Sequence, residues 1–310
     1  MKEGLYETIQ ATACTSSLHG NHYMQSLTAI NVILAITASL GNALILVALR
    51  KDSSLHPPSK LMFRCLTVAD LCVGLFSQPF YVIQLTSITH EQVKLCYTMV
   101  SLNELTSSVF CGVSLFTLTA ISVDRLVALR LGLRYTQVWQ VITLRRTRVI
   151  MIIIWILNIS IVCLRRFWKY LLISRLVSAL IYISLAIAAF SYFKIYVTLR
   201  RHRTELRDVT QQGKPNRGGM SPLNIKQFKK TVSAGLCVQL LLVACYLPYA
   251  VVVAITTANG YSPSYNLTVR LTITLVMLNS SLNPIVYCWR IRGVRKEAKN
   301  TIIQWFSCSK

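Results

Sequence analysis

The chain has 310 residues, 54% hydrophobic and 14% charged, a composition too apolar for an ordinary soluble domain. Its formal charge of +23 raises the question of nucleic acid, but 26 of the 33 Lys and Arg residues fall in four segments separated by long apolar runs: Arg50 to Arg64, Arg125 to Arg148, Lys194 to Lys230 and Arg290 to Lys310. Clusters spaced in that way belong to the cytoplasmic face of a membrane protein, so nucleic acid is excluded as a partner.

Residues 1–25 are polar, show no cleavable signal pattern and are expected to form an extracellular N-terminus. A helix needs about 20 apolar residues to cross a hydrocarbon layer of roughly 30 Å. Runs of that kind predict seven spans, at Ser26 to Leu49, Leu61 to Leu85, Leu95 to Arg130, Arg145 to Leu164, Leu171 to Leu199, Lys229 to Thr257 and Tyr265 to Trp289. The sixth and seventh emerge from a 39-residue stretch without a charge, Thr231 to Val269, which Asn259-Gly260 and Pro263 divide in two. An odd number of crossings with basic inner loops puts the N-terminus outside and the C-terminus in the cytoplasm.

The loops carry their own signals. Arg130 to Leu144 reads as a moderate inner loop, and Arg200 to Gln227 as a longer, mobile one broken by Gly213, Pro215, Gly218, Gly219 and Pro222. The outer connection from Arg165 to Tyr170 is only six residues long. Asn266-Leu267-Thr268 is a glycosylation sequon in an expected outer loop, whereas Asn158-Ile159-Ser160 and Asn279-Ser280-Ser281 lie within spans. After the last span, Ile291, Val294, Ala298, Ile302 and Trp305 recur at helical spacing among Arg292, Arg295, Lys296 and Lys299. This predicts an amphipathic helix on the inner leaflet, each cation adding about 1 kcal/mol of attraction to anionic lipid. The fold class is therefore all-α: a polytopic bundle of seven transmembrane helices over residues 26–289, followed by a short cytoplasmic helix and tail over 290–310.

Ionisable groups inside spans cost about 2.5 to 3.5 kcal/mol at mid-bilayer and mark working sites. Asp70, in the second span, must face the bundle and find partners, which Asn42, Ser114, Asn279, Ser280 and Asn283 can supply. Asp124 and Arg125 end the third span, where adjacent opposite charges can neutralise each other and later separate. Pro248 and Pro284 each remove a backbone hydrogen bond from a span and are expected hinges. The ten cysteines form no CxxC pair and no metal spacing.

Taken in order, Gly41-Asn42, Leu66-Thr67-Val68-Ala69-Asp70, Asp124-Arg125-Leu126, Trp155, Cys245-Tyr246-Leu247-Pro248 and Asn279-Ser280-Ser281-Leu282-Asn283-Pro284-Ile285-Val286-Tyr287 make a set, motif by motif along the spans. That set resembles the rhodopsin-like (class A) G-protein-coupled receptors, and it covers nearly the whole chain. The resemblance implies a receptor of the plasma membrane, not an enzyme. Such a receptor binds an extracellular small molecule, lipid or short peptide and activates a heterotrimeric G protein, with arrestin as a further inner-face partner. It implies that Arg125 is the switch facing the G protein, with Asp124, Tyr192 and Tyr287 working beside it. It also implies an allosteric sodium ion held by Asp70, Ser114, Asn279 and Ser280, with Asn42 and Asn283 in the same polar core; a purely hydrogen-bonded core without an ion is the alternative. Tyr246 stands where relatives usually carry tryptophan. The ligand pocket would include Glu104, Ser107, Tyr246 and Arg270, with Glu104 either pairing a cationic ligand group or tied to Arg270 or water.

Several positions depart from that pattern. Leu126 replaces the usual tyrosine, and Lys226-Gln227-Phe228-Lys229-Lys230 offers no carboxylate to hold Arg125 closed, so raised resting activity is expected. The disulfide that relatives commonly form from the outer end of span three to the following loop has no counterpart, since Val100 occupies the expected position and the loop from Arg165 to Tyr170 lacks cysteine. Cys14 and Cys96 can pair with each other, or both can stay reduced. Ser184 replaces the fifth-span proline, which with the short loop resembles the melanocortin, adenosine, cannabinoid and lysophospholipid subgroup. Ser107 stands where aminergic receptors carry aspartate, which disfavours an amine, and the absence of lysine between Leu271 and Trp289 excludes retinal. Two rival readings are a seven-helix ligand-binding protein that does not signal and a transporter or channel.

Overall fold

A computed structural model of the protein describes residues 10–15, 21–53, 55–131, 143–167, 170–211, 222–260 and 262–308. Helices α1 (Asn21–Lys51), α2 (Pro57–Thr89), α3 (Val93–Leu131), α4 (Leu144–Phe167), α5 (Tyr170–Gln211), α6 (Pro222–Asn259) and α7 (Asn266–Arg290) each contain a stretch long and apolar enough to cross a membrane. Helix is what such sequences must form, because hydrocarbon offers no partner for an exposed backbone N–H or C=O. Helix α8 (Arg292–Cys308) follows after a break at Ile291, whose extended backbone ends α7.

Helix α3 is the centre of the bundle and touches α2, α4, α5, α6 and α7, while α1 packs on α2 and α7. Large apolar side chains divide by face. Ile33, Ile36 and Leu40 on α1 and Ile152, Ile153 and Ile156 on α4 point outward, where lipid solvates them, whereas Leu66, Leu115, Leu242 and Met277 are buried between helices.

The seven expected spans coincide with these helices, but one expectation about the inner face is corrected. The segment read as a loop from Arg200 to Gln227 is helical at both ends: α5 runs on to Gln211 and α6 starts at Pro222, leaving only 212–221, outside the described residues. Lys and Arg beyond the hydrocarbon do not oppose helix, so a span can continue into water. The side chains of Lys226 to Lys230 also lie outside the described residues. The helix expected after the last span is α8, and its apolar stripe is divided between two neighbours. Val294 and Ala298 of its apolar stripe are buried in the bundle core rather than turned to lipid, and only Ile302 and Trp305 are exposed. Lys51 of α1 donates to Gln304 of α8 at 2.9 Å.

One feature of α2 has no period in the sequence to announce it. Val73–Ser77 form a π-turn between regular helices Pro57–Cys72 and Gln78–Thr89. Gly74 lies within it, pressed on α1: a Cβ there would meet Ser39 Oγ at 2.7 Å and the Ser39 backbone nitrogen at 2.8 Å. Gly74→Ala must therefore push backbone from backbone. It is expected to cost about 1–3 kcal/mol, as overpacked cores do, and to lower the melting temperature of the detergent-solubilised protein. Gly112→Ala should cost less, since its close neighbour is the movable Asn158 side-chain oxygen. Equal melting temperatures for the two variants would refute the distinction.

Candidate functional site

Of the five polar residues expected as partners of Asp70, three bond to it. The carboxylate, fully buried on α2, accepts hydrogen bonds from Ser114 Oγ of α3 at 3.0 Å, Ser280 Oγ of α7 at 2.8 Å and Asn283 Nδ2 of α7 at 2.7 Å. Asn42 does not reach Asp70. Its Nδ2 donates to the Ser280 backbone carbonyl at 3.0 Å, and Pro284 explains why: four residues after Ser280, it has no N–H for the carbonyl that a regular helix would have paired. Gly41 is small for the same junction, because a Cβ there would meet Pro284 Cγ at 3.0 Å. The pair Gly41-Asn42 is thus shaped to the proline break in α7. Asn279 is buried next along α7, and both polar atoms of its side chain lack a hydrogen-bond partner among the described residues.

On the inner side, Asp124 Oδ2 and Arg125 Nε approach to 3.7 Å, a charge contact rather than a hydrogen bond. His56, in the turn before α2, is close enough for both charges to act on it. Burial pushes its imidazole below the ordinary histidine value, the Asp124 carboxylate opposes that, and Arg125 reinforces it. Tyr192 of α5 and Tyr287 of α7 are both buried. The Tyr192 hydroxyl pairs with the Ser122 side chain. The Tyr287 hydroxyl has no partner among the described residues, and its ring stands edge-on to Phe63 at 5.3 Å between centroids.

A cavity of about 590 Å³ opens in the outer half, lined by Glu104, Ser107, Arg165, Tyr249 and Met277 among others, with Tyr246 at its lining too. The Tyr246 hydroxyl donates to the Cys111 carbonyl at 2.9 Å and so joins α6 to α3. Ser107 donates to the Asn103 carbonyl of its own helix. Glu104 pairs with Arg165 of α4, Oε1 to Nη2 at 2.7 Å, a partner that none of the alternatives left open for it had named. Sequence spacing could not distinguish two arginines equally near the outer surface.

Arg270 instead anchors the N-terminal segment. Its Nη2 donates to the carbonyls of Ala13 at 3.0 Å and Thr15 at 3.1 Å, and its Nη1 approaches Met24 Sδ at 3.3 Å. The bridge between Cys14 and Cys96 is formed, so of the two readings left open for the outer cysteines the disulfide is the one adopted. Asn266, read as a glycan acceptor in a loop, is the first residue of α7 and 1% exposed, with Nδ2 donating to the Thr12 carbonyl at 2.9 Å and to Thr15 Oγ1 at 3.3 Å. A glycan on that nitrogen would displace the segment, so the expectation is corrected.

Comparison with known proteins places this architecture. The family model described as "7 transmembrane receptor (rhodopsin family)" matches residues 41–170 and 161–287. The chain is 24% identical to the histamine H2 receptor of Cavia porcellus, over 92% of this chain and 80% of that one. It is 23% identical to melanocortin receptor 4 of Danio rerio, over 90% and 84%. It is 26% identical to the adenosine receptor A2b of Bos taurus, over 90% of each.

Proposed function

The chain belongs to the rhodopsin family of seven-transmembrane receptors and is a G-protein-coupled receptor, and from that premise we propose that a small molecule, lipid or short peptide entering the outer cavity opens the inner face by loosening α6 from α3. One observation carries this reading: the Tyr246–Cys111 hydrogen bond lies at the cavity lining and joins the two helices whose inner ends must part. A ligand can shift the bundle only by its differential affinity for the two states. Replacing this single contact supplies a lever within reach of the cavity.

Tyr246→Phe keeps the ring and removes the donor. A hydrogen bond is worth about 0.5–1.5 kcal/mol net, so resting activity is expected to rise about two- to twelvefold. Resting signal is read by G-protein biosensors in cells matched for surface receptor. Unchanged resting signal would refute the role given to the contact. Several biosensors in parallel, with a chemically diverse ligand set, would then identify the ligand and the G protein. The relatives named as histamine, adenosine and melanocortin receptors differ too much in ligand chemistry to choose among these classes. Ser107, where an amine receptor would place aspartate, argues against an amine.

In this reading the N-terminus is extracellular and α8 cytoplasmic, where Arg292, Arg295, Lys296 and Lys299 favour anionic lipid. Arg125 is the residue presented to the G protein once Asp124 releases it, and Tyr192 and Tyr287 close beneath the polar core on opening. Arrestin would use the same opened face.

A sodium ion fits the residues present. Asp70, Ser114 and Ser280 offer oxygen, the donor type that hard cations prefer, and the buried Asn279 carbonyl oxygen is unsatisfied among the described residues. These four would hold the ion, whose charge would favour the ionised carboxylate. The chain's own part is to bind α2, α3 and α7 together around that carboxylate.

A further inference from the structure

The described N-terminal segment is joined to the bundle at several independent points. Cys14 is covalently bound to Cys96 near the start of α3. Gln10 Nε2 donates to Ser101 Oγ of α3 at 2.6 Å. Across the mouth, Arg270 and Asn266 of α7 donate to the carbonyls of Ala13, Thr15 and Thr12. The same Arg270 is fixed from below, since its backbone carbonyl accepts from Tyr81 of α2 at 2.9 Å and from Thr274 of α7 at 3.0 Å, and Thr274 in turn accepts from Asn31 of α1. Ala13 is among the residues that line the cavity.

We infer that residues 10–15 are a strap that forms a wall of the ligand cavity between α3 and α7, and that Arg270, itself at the cavity lining, is its positioning residue. The chemistry of the anchors supports this. A buried guanidinium has to be satisfied, and here backbone carbonyls of a short segment provide the acceptors. The short connection between α4 and α5 leaves little chain to cover the mouth from the other side, so the wall is supplied from the N-terminal end. Because one end of the strap is held by a disulfide, the shape of the mouth is tied to the redox state outside the cell.

The test requires neither ligand nor G protein, so it stands apart from the signalling reading. In full-length receptor at the cell surface, in a Cys111→Ala background, Ser108→Cys places a thiol in the cavity lining and Ser264→Cys places one on the exposed turn before α7. Reaction rates with a charged, membrane-impermeant methanethiosulfonate are compared with and without the strap anchors. Arg270→Gln is expected to speed reaction at Ser108→Cys about tenfold, the factor that loss of a charge-assisted hydrogen bond makes in a local opening equilibrium, and the double variant Cys14→Ser with Cys96→Ser, which frees the strap from α3, is expected separately to speed it as well. The rate at Ser264→Cys should not change, and Arg270→Lys, which keeps a donor, should restore much of the slow rate. Unchanged reaction at Ser108→Cys in both variants would overturn the inference. So would equal acceleration at both thiols, which would mean that the outer end had simply loosened.

Discussion

Replacing Arg125 by Ala is expected to abolish both resting and ligand-driven G-protein activation while leaving surface expression largely intact. The two halves of that expectation have different physical sources. Arg125 is partly exposed, and its contact with Asp124 at 3.7 Å is of the kind worth about 0–1 kcal/mol, so the folded bundle loses little without it. The signalling loss follows from position: Arg125 sits near the C-terminal end of α3, the helix that touches five of the other spans, and in the proposed reading carries a planar donor group to the face where the G protein docks. Arg125→Lys keeps the charge but not the planar fork and should retain only part of the signal. Asp124→Asn should act the other way and raise resting activity, because it removes the carboxylate that holds Arg125. Full signalling by Arg125→Ala in a biosensor assay would contradict the assignment.

Asp70→Ala is expected to be the most destabilising single change in the polar core. It leaves two hydroxyls and an amide, contributed by α3 and α7, without the acceptor they share. Each buried group left unsatisfied costs about 1–3 kcal/mol, so the variant should melt well below the parent in detergent and reach the surface poorly. Asp70→Asn separates charge from hydrogen bonding, since the amide oxygen can still accept from the serines. For the parent, replacing choline chloride by sodium chloride at constant ionic strength should raise the melting temperature, as for any ligand bound only by the native state; saturation a hundredfold above the dissociation constant gives about 2.7 kcal/mol. For Asp70→Asn the two salts should give the same value. A sodium-dependent rise that survives in Asp70→Asn would remove Asp70 from the ion site and leave the core as hydrogen bonds alone.

The spans and the polar core could be read from sequence because each is announced locally. A run such as Ile150 to Ile161 states its solvent, and Asp70 in a second such run states that it has partners. The positions of Asn42 and Pro284 could be noted, but not that one completes the other, because the link joins residues 238 apart through a backbone carbonyl. The same limit hid the outer architecture. Glu104 with Arg165, Asn266 with Thr12 and Arg270 with Ala13 are pairings between distant segments, each chosen from several arginines, amides or carbonyls of similar depth. The sequon at Asn266 misled because its tripeptide specifies acceptor chemistry and says nothing of burial. The inner ends of α5 and α6 misled because a proline such as Pro222 can open a helix as well as interrupt one, and basic residues do not show how far a span continues past the hydrocarbon.

The wide turn at Val73–Ser77 has a consequence for any ligand-design effort that borrows from relatives. A regular helix advances about 100° per residue, so one residue accommodated in a wide turn rotates everything beyond it by roughly that angle. Tyr81 and Gln84, both beyond it, reach the cavity lining. An ungapped alignment with a receptor whose second helix is regular would assign their neighbours to that lining. Pharmacophore models for this receptor should therefore shift register by one position outward of Gly74.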